Sequence, residues 1–425
     1  MQPVQDIKNL TLAPGELSFD FPFAGSEQRV WLRGGEVTPP ADPALAMSLM
    51  PAMVEGGSLR VGGEISPRVL RMQAEFQAIQ AAWSRHWPYE RPPLREVEVE
   101  AGTREIPTPR QGRVATFFSG GVDSWATVLS EPEVTDLIFV RGLDIVPAIA
   151  TQHQGLSERV EPILCEMAED LGQPLHVLET NIREMTEPMF DWHHVHGAAL
   201  AAIGLYFESQ FERVLIPTDV AHASPTFAGA CYMVDGLWSS EAVEIVDHGS
   251  RIGRFERTRL LAGDPRARAS LRVCYENPGG AYNCGRCRKC LVTMIALEAL
   301  GVRSEFPTFP PELDYSPLEG FNPANRLHQV IWIDCLQGVK DCGREDLAQI
   351  VAKVVERGEG HLADPALREA QSEADEARAE AAAAQAQLSD VLNSTSWRLT
   401  APLRQLRGKW APEREALRRD TPGEG

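Results

Sequence analysis

The chain has 425 residues, 43% hydrophobic and 24% charged, which suits about two to three soluble domains with a substantial core. Its 41 basic residues against 60 acidic ones leave a formal net charge of −19, which argues against general coating of nucleic acid or binding to anionic lipid. A local basic groove is compatible with that total, so tRNA is disfavoured as a partner rather than excluded. No targeting or transmembrane segment is expected. The opening MQPVQDIKNL lacks the basic start and apolar run of a signal peptide, and the longest apolar stretch, 198–207, is about half the length that crosses a bilayer. The expected location is the cytoplasm, where the eight cysteines meet reducing conditions and clustered thiols favour metal over disulfides.

Residues 1–110 are rich in Pro and Gly, and the alternating runs 16–23 and 29–33 predict short strands. The stretch 67–83 predicts a helix, with apolar positions at Val69, Leu70, Met72, Phe76 and Ile79. Together they make an expected α+β accessory domain with no cluster of catalytic residue types. From 111 to 310 apolar strands (114–118, 137–140, 175–178, 214–217) alternate with amphipathic helices (124–129, 157–171, 197–210). That alternation predicts an α/β domain with a parallel sheet covered on both faces, whose ligands sit beyond the carboxyl ends of the strands. Residues 311–365 read as a helical extension, clearest at 347–355. In 366–400 the residues Leu367, Ala370, Ala374, Ala377, Ala381, Ala384, Leu388 and Val391 alternate spacings of three and four, a heptad seam. An alanine seam buries little, so this is either a weak coiled coil offering a homodimer or partner contact, or a solvated helical spacer. The basic tail 401–425, entered through SWRLTAPLRQLRGKW, either touches a membrane surface or partner or is simply solvated.

The string Ser119-Gly120-Gly121-Val122-Asp123-Ser124 follows the first core strand and opens a helix. Its glycines let backbone amides approach an anion, and the helix start directs unpaired amides and a positive dipole end to the same point. Ser119 and Ser124 add hydroxyl donors. Asp123 would repel a bare phosphate, so it implies Mg²⁺ held between carboxylate and phosphate oxygens. There is no Gly-Lys-Ser/Thr ending, which sets the loop apart from those of kinases and GTPases. The hexapeptide resembles the PP-loop of the N-type ATP pyrophosphatases. That resemblance implies a HUP-type core (Rossmann-like, adenine nucleotide α-hydrolase-like), ATP as substrate and cleavage between its α- and β-phosphates.

Downstream, the string CYENPGGAYNCGRCRKC places Cys274 ahead of Cys284, Cys287 and Cys290. Two overlapping Cys-x2-Cys steps turn back on one centre, and the Pro-Gly-Gly linker lets Cys274 join it; four thiolates suit structural Zn²⁺. An iron–sulfur cluster is the competing centre. Cys165, Cys231, Cys335 and Cys342 have no such spacing and read as ordinary thiols. A PP-loop followed by such cysteines is similar to the 7-cyano-7-deazaguanine synthase (QueC) family of queuosine biosynthesis, across about residues 113–303. The matching pieces are SGGVDS, IPTDVAHA (216–223) and RVCYENPGGAYNCGRCRKC. The resemblance implies that an ATP-activated carboxylate takes up ammonia and goes on to a nitrile, beside a structural zinc. The chain departs from the family in the 110 residues before the loop and in His193-His194-Val195-His196-Gly197, which stands where the family carries Gly-Arg-Asn.

Those histidines precede the expected helix 197–210. His193 and His196 read either as groups that position or deprotonate a substrate or as helix-start surface residues. Thr218 and Asp219 end the strand 214–217, equally as substrate contacts or as turn formers. Arg251, Arg254 and Arg257 read as anion-binding or, more commonly, as solvated. The expectation is an ATP-dependent enzyme that adenylates a carboxylate or amide oxygen, releases pyrophosphate and passes the acyl group to ammonia or an amine. Asp123 and Ser124 are the expected catalytic residues. The alternatives are a PP-loop sulfurtransferase with a reactive cysteine such as Cys231, and an ATP-binding scaffold for surface-polysaccharide synthesis.

Overall fold

The computed structural model describes residues 4–86, 93–105, 112–146, 153–218, 220–223, 228–323 and 325–363, with side chains through 360. Asp219, the heptad segment and the basic tail lie outside the described residues. Strands β1 (Val4–Ala13), β2 (Glu16–Phe23) and β3 (Ser26–Arg33) form an antiparallel meander. The β2–β3 turn is made by Ala24 and Gly25, both at positive φ (48° and 79°), as a tight hairpin turn demands. Helix α1 (Asp42–Glu55) is buried almost all round. Its lack of an amphipathic stripe explains why periodicity does not reveal it. Then come β4 (Ser58–Ile65), α2 (Pro67–His86) and the edge strand β5 (Glu98–Thr103).

Residues from 112 onward supply β6 (Val114–Phe117), α3 (Val122–Ser130), β7 (Val134–Arg141), α4 (Ser157–Leu171), β8 (Leu175–Thr180), α5 (Ile182–Thr186), α6 (Trp192–Tyr206) and β9 (Arg213–Pro217). After them come β10 (Glu244–His248), α7 (Arg254–Leu261), α8 (Pro265–Ser270), α9 (Arg288–Ala299), α10 (Arg326–Asp341) and α11 (Glu345–Ala363). Among the described residues ten strands join one mixed sheet in the order β10-β9-β6-β7-β8-β3-β2-β1-β4-β5. The pairings from β10 to β8 and from β1 to β5 by way of β4 are parallel, and the three between β8 and β1 are antiparallel. The first 105 residues therefore extend the core sheet itself, through Leu32 opposite Thr180 and Arg33 opposite Glu179.

Successive residues of β6 and β7 face opposite cores. Ala115, Phe117, Ile138 and Val140 pack with α1 and α6, whereas Val114, Phe118, Leu137 and Phe139 pack with α3, α4 and α9. Both faces of the parallel part are covered, as the near-continuous apolar strands require. The chain builds from β6 outward through β7 to β8 and then returns to the other side of β6 for β9. Strand order reverses there, so the carboxyl ends of β6 and β9 bound the natural crevice.

One boundary differs in a way that matters. The helix expected over 197–210 is α6 and starts at Trp192. Asp191 caps it by accepting the His193 amide at 3.2 Å, so the histidines lie in its first turn and not ahead of it.

Candidate functional site

The Ser119–Gly120–Gly121 bend leaves β6 at the strand-order reversal. Gly120 has φ +72°, and a side chain there would press on Leu164 at 3.1 Å. Gly121 is the N-cap of α3 and offers no capping side chain, so the first-turn amides keep their capacity for an outside acceptor. Ser124 donates to the Gly121 carbonyl (3.1 Å). The bend is clamped from outside by Arg272, whose amide donates to the Gly120 carbonyl at 2.9 Å.

Asp123 opens α3 and its carboxylate meets two arginines of α7. Arg254 Nη1 lies 2.7 Å from Oδ2 and Arg257 Nη1 2.9 Å from Oδ1. The Arg254 and Arg257 side chains are only 8% and 1% exposed. Burial would push the Asp123 carboxyl up, but Arg254, Arg257 and the charge of Lys289 on α9 together hold it below the ordinary value. A carboxylate offers about four acceptor positions. Two remain for a Mg²⁺ that takes most of its ligands from phosphates, so the donor set fits that ion.

Cys274, Cys284, Cys287 and Cys290 bring their sulfurs within 4.8 Å of one another. Cys274 and Cys287 are 3.8 Å apart, and Cys284 and Cys290 3.9 Å. A tetrahedron with metal–sulfur bonds of about 2.3 Å has edges of about 3.8 Å. The cluster can thus hold a metal such as zinc. Amides point at the sulfurs, from Asn277 to Cys274 (3.2 Å) and from Cys287 to Cys284 (3.2 Å), which orients and stabilises thiolates. Gly285 has φ +70° in the turn between ligands and a Cβ there would strike Pro310. Cys287 is also the N-cap of α9. The knot therefore fixes two things beside the Gly120–Gly121 bend: Arg272, two residues before Cys274, and the α9 start with Lys289.

The remaining expected residues divide. His193 Nδ1 pairs with Asp191 at 2.7 Å, and His196 Nδ1 meets the His193 carbonyl at 3.2 Å, so both are tied to the first turn of α6. The charges of Arg288, Lys289, His193 and Asp191 all act on His328 of α10, whose pKa is held well below its ordinary value by burial first. The α6 and α9 starts thus border the same region. Thr218 is buried, and its hydroxyl accepts from the Val220 amide at 3.1 Å, the turn-forming role. Arg251 is exposed.

Sequence reasoning passed over Asp247 at the end of β10, where burial raises the carboxyl and Oδ2 has no partner. It also missed Asp334 of α10. That residue accepts the Phe255 amide at 2.8 Å and so caps the arginine-bearing helix α7. Compared with known proteins, the chain matches no family model, no curated protein and no solved structure.

Proposed function

We propose that the chain is a QueC-like, HUP-type ATP pyrophosphatase enzyme that adenylates a carboxylate and passes the acyl group to ammonia or an amine. The observation that carries this reading is the convergence on one bend. The Gly120–Gly121 turn at the strand-order reversal, the open start of α3 and the buried Arg254 and Arg257 all meet at Asp123. Such a constellation suits a group with several negative charges close together.

In this reading the bend amides, Ser119 and Ser124 hold the β- and γ-phosphates of ATP, with Asp123 as the ligand for Mg²⁺. Mg²⁺, when bound, neutralises charge that builds on the departing pyrophosphate. A substrate carboxylate oxygen attacks the α-phosphorus, the bond from that phosphorus to the bridging oxygen of the β-phosphate breaks, and pyrophosphate leaves with the bonding pair. Ammonia then adds to the acyl carbon, AMP leaves, and the amide sheds one proton. Amide donors preorganised at the bend stabilise the leaving group without reorganising. The metal knot has no chemical step; it holds Arg272 and the α9 start in place.

Cys231 bears on the sulfur-transfer alternative. It is fully buried, and burial pushes its pKa to about 12, which suits a packed thiol more than a nucleophile and supports nitrogen transfer. The test is a pyrophosphate-release screen of candidate carboxylic acids with ATP, Mg²⁺ and ammonium. Release of pyrophosphate and AMP with one acid is the expected result. Orthophosphate and ADP would refute the assigned bond cleavage.

A further inference from the structure

We propose that Asp123 and the Arg254–Arg257 pair form an exchangeable clasp. In the free protein the two guanidinium groups hold the loop carboxylate; a bound triphosphate takes them over and releases that carboxylate. This rests on the triphosphate reading above and adds residues and an order of events to it.

Four features support exchange over a fixed structural pair. First, both arginines project from one face of α7 at i and i+3, so both reach the same anion. Second, Arg257 is anchored on its other side, where Nη2 donates to the carbonyls of Gly249 (3.1 Å) and Ile252 (2.9 Å). Its Nη1 stays aimed at the bend whatever anion is there, and its Nε has no partner. Third, the Asp123 side chain is 21% exposed, against 8% and 1% for the arginines, so it is the most solvent-accessible side chain of the three. Fourth, the other nearby carboxylates make hydrogen bonds of their own: Asp334 accepts the Phe255 amide, and Asp247 accepts the Ser250 hydroxyl through Oδ1. Among the described residues Asp123 alone forms an ion pair with these arginines.

A phosphate oxygen replaces a carboxylate oxygen at either Nη1 with little loss, because both are anionic acceptors of a charge-assisted hydrogen bond. The freed carboxylate then lies beside the phosphates. In the absence of Mg²⁺ the same carboxylate is a competitor, repelling the anion and occupying its donors.

The experiment is calorimetric titration of the full chain with ATP and with inorganic pyrophosphate, each in Mg²⁺-free buffer and with Mg²⁺. Asp123→Asn should bind Mg²⁺-free ATP and pyrophosphate at least tenfold tighter than the wild type, and should lose that advantage with Mg²⁺. A carboxylate that serves only as a metal ligand gives no gain without metal, and a purely structural one weakens binding under both conditions; either result overturns the clasp. Arg254→Gln provides the second arm should Asp123→Asn not fold. It should weaken pyrophosphate binding at least tenfold in protein whose circular dichroism is unchanged, and unaltered affinity overturns the clasp. Wild-type protein that binds Mg²⁺·ATP while Asp123→Asn shows no gain defeats the clasp alone. Wild-type protein that binds neither ligand in either buffer defeats the triphosphate reading and the clasp together.

Discussion

Gly253 is a position where one added methyl group should disturb the helix that carries Arg254 and Arg257. It is the N-cap of α7, and a Cβ there would lie 1.7 Å from Asp334 Oδ1 and 2.5 Å from its Cγ. Its backbone, at φ −73° and ψ 172°, accepts alanine, so the cost of Gly253→Ala is collision and not torsional strain. Relieving it means expelling the Asp334 carboxylate, which forfeits the hydrogen bond to the Phe255 amide. Overpacking of this kind costs about 1–3 kcal/mol and a lost charge-assisted hydrogen bond about 1.5 kcal/mol. Gly253→Ala should therefore destabilise the chain by about 2.5–4.5 kcal/mol in urea titration. Asp334→Ala alone should cost about 1.5 kcal/mol, and it opens the space the new methyl needs. In that background Gly253→Ala should cost under about 1 kcal/mol, a coupling of at least about 1.5 kcal/mol in the double-mutant cycle. Because α7 carries Arg254 and Arg257, the single variant should also weaken pyrophosphate binding and the double variant should recover part of it. Equal costs in the two backgrounds would refute the steric argument, whatever their size.

Three further outcomes are expected. Elemental analysis should find one zinc per chain, and Cys284→Ser should lower that occupancy and weaken pyrophosphate binding, since the Arg272–Gly120 bond hangs on the knot. Stability should fall as pH drops from 7 to 5. Burial holds His153, His248 and His328 below their ordinary pKa, so the unfolded chain binds protons first as pH passes about 6.5, at up to about 1.4 kcal/mol per pH unit per site. The raised carboxyls of Asp42 and Glu208 work the other way, nearer the carboxylate range. His328→Gln should flatten the decline between pH 6.5 and 5, and an unchanged slope would remove His328 from the account. Finally, Cys231→Ser should retain turnover, and its loss would revive sulfur transfer.

Strands β6, β7, β8 and β9 were legible as short apolar runs between helical stretches, whereas the parallel strands β4, β5 and β10 were not. Ser157–Leu171 and Glu16–Phe23 match their expected spans to the residue, since their patterns are periodic and sharply bounded. Helix α1 was not legible: twelve of its fourteen residues are buried, which erases the stripe that periodicity detects. Pro51 inside it misleads further. The start of α6 was misplaced because the Asp191 cap carries more weight than the low helix propensity of successive histidines. The four cysteines could be grouped from spacing alone, because their ligand geometry is local in sequence. The tie between that knot and the Gly120–Gly121 bend could not, because one backbone hydrogen bond, Arg272 to Gly120, makes it across about 150 positions.

The arginines show the same limit from the side of energetics. A helix written RFERTRLL has four charged residues in eight, which is the composition of a solvated face. Yet Arg257 is 1% exposed, and a guanidinium is buried only when charge and hydrogen bonds repay its lost hydration. Gly249, Ile252 and Asp123 together do so in the free protein. Removing Asp123 should therefore leave two buried cations that an added anion can stabilise. Inorganic pyrophosphate should raise the melting temperature of Asp123→Asn more than that of the wild type in Mg²⁺-free buffer. If the wild type gains more, the arginines prefer their carboxylate to phosphate, and the surface-like reading of that helix was the better guide to its role.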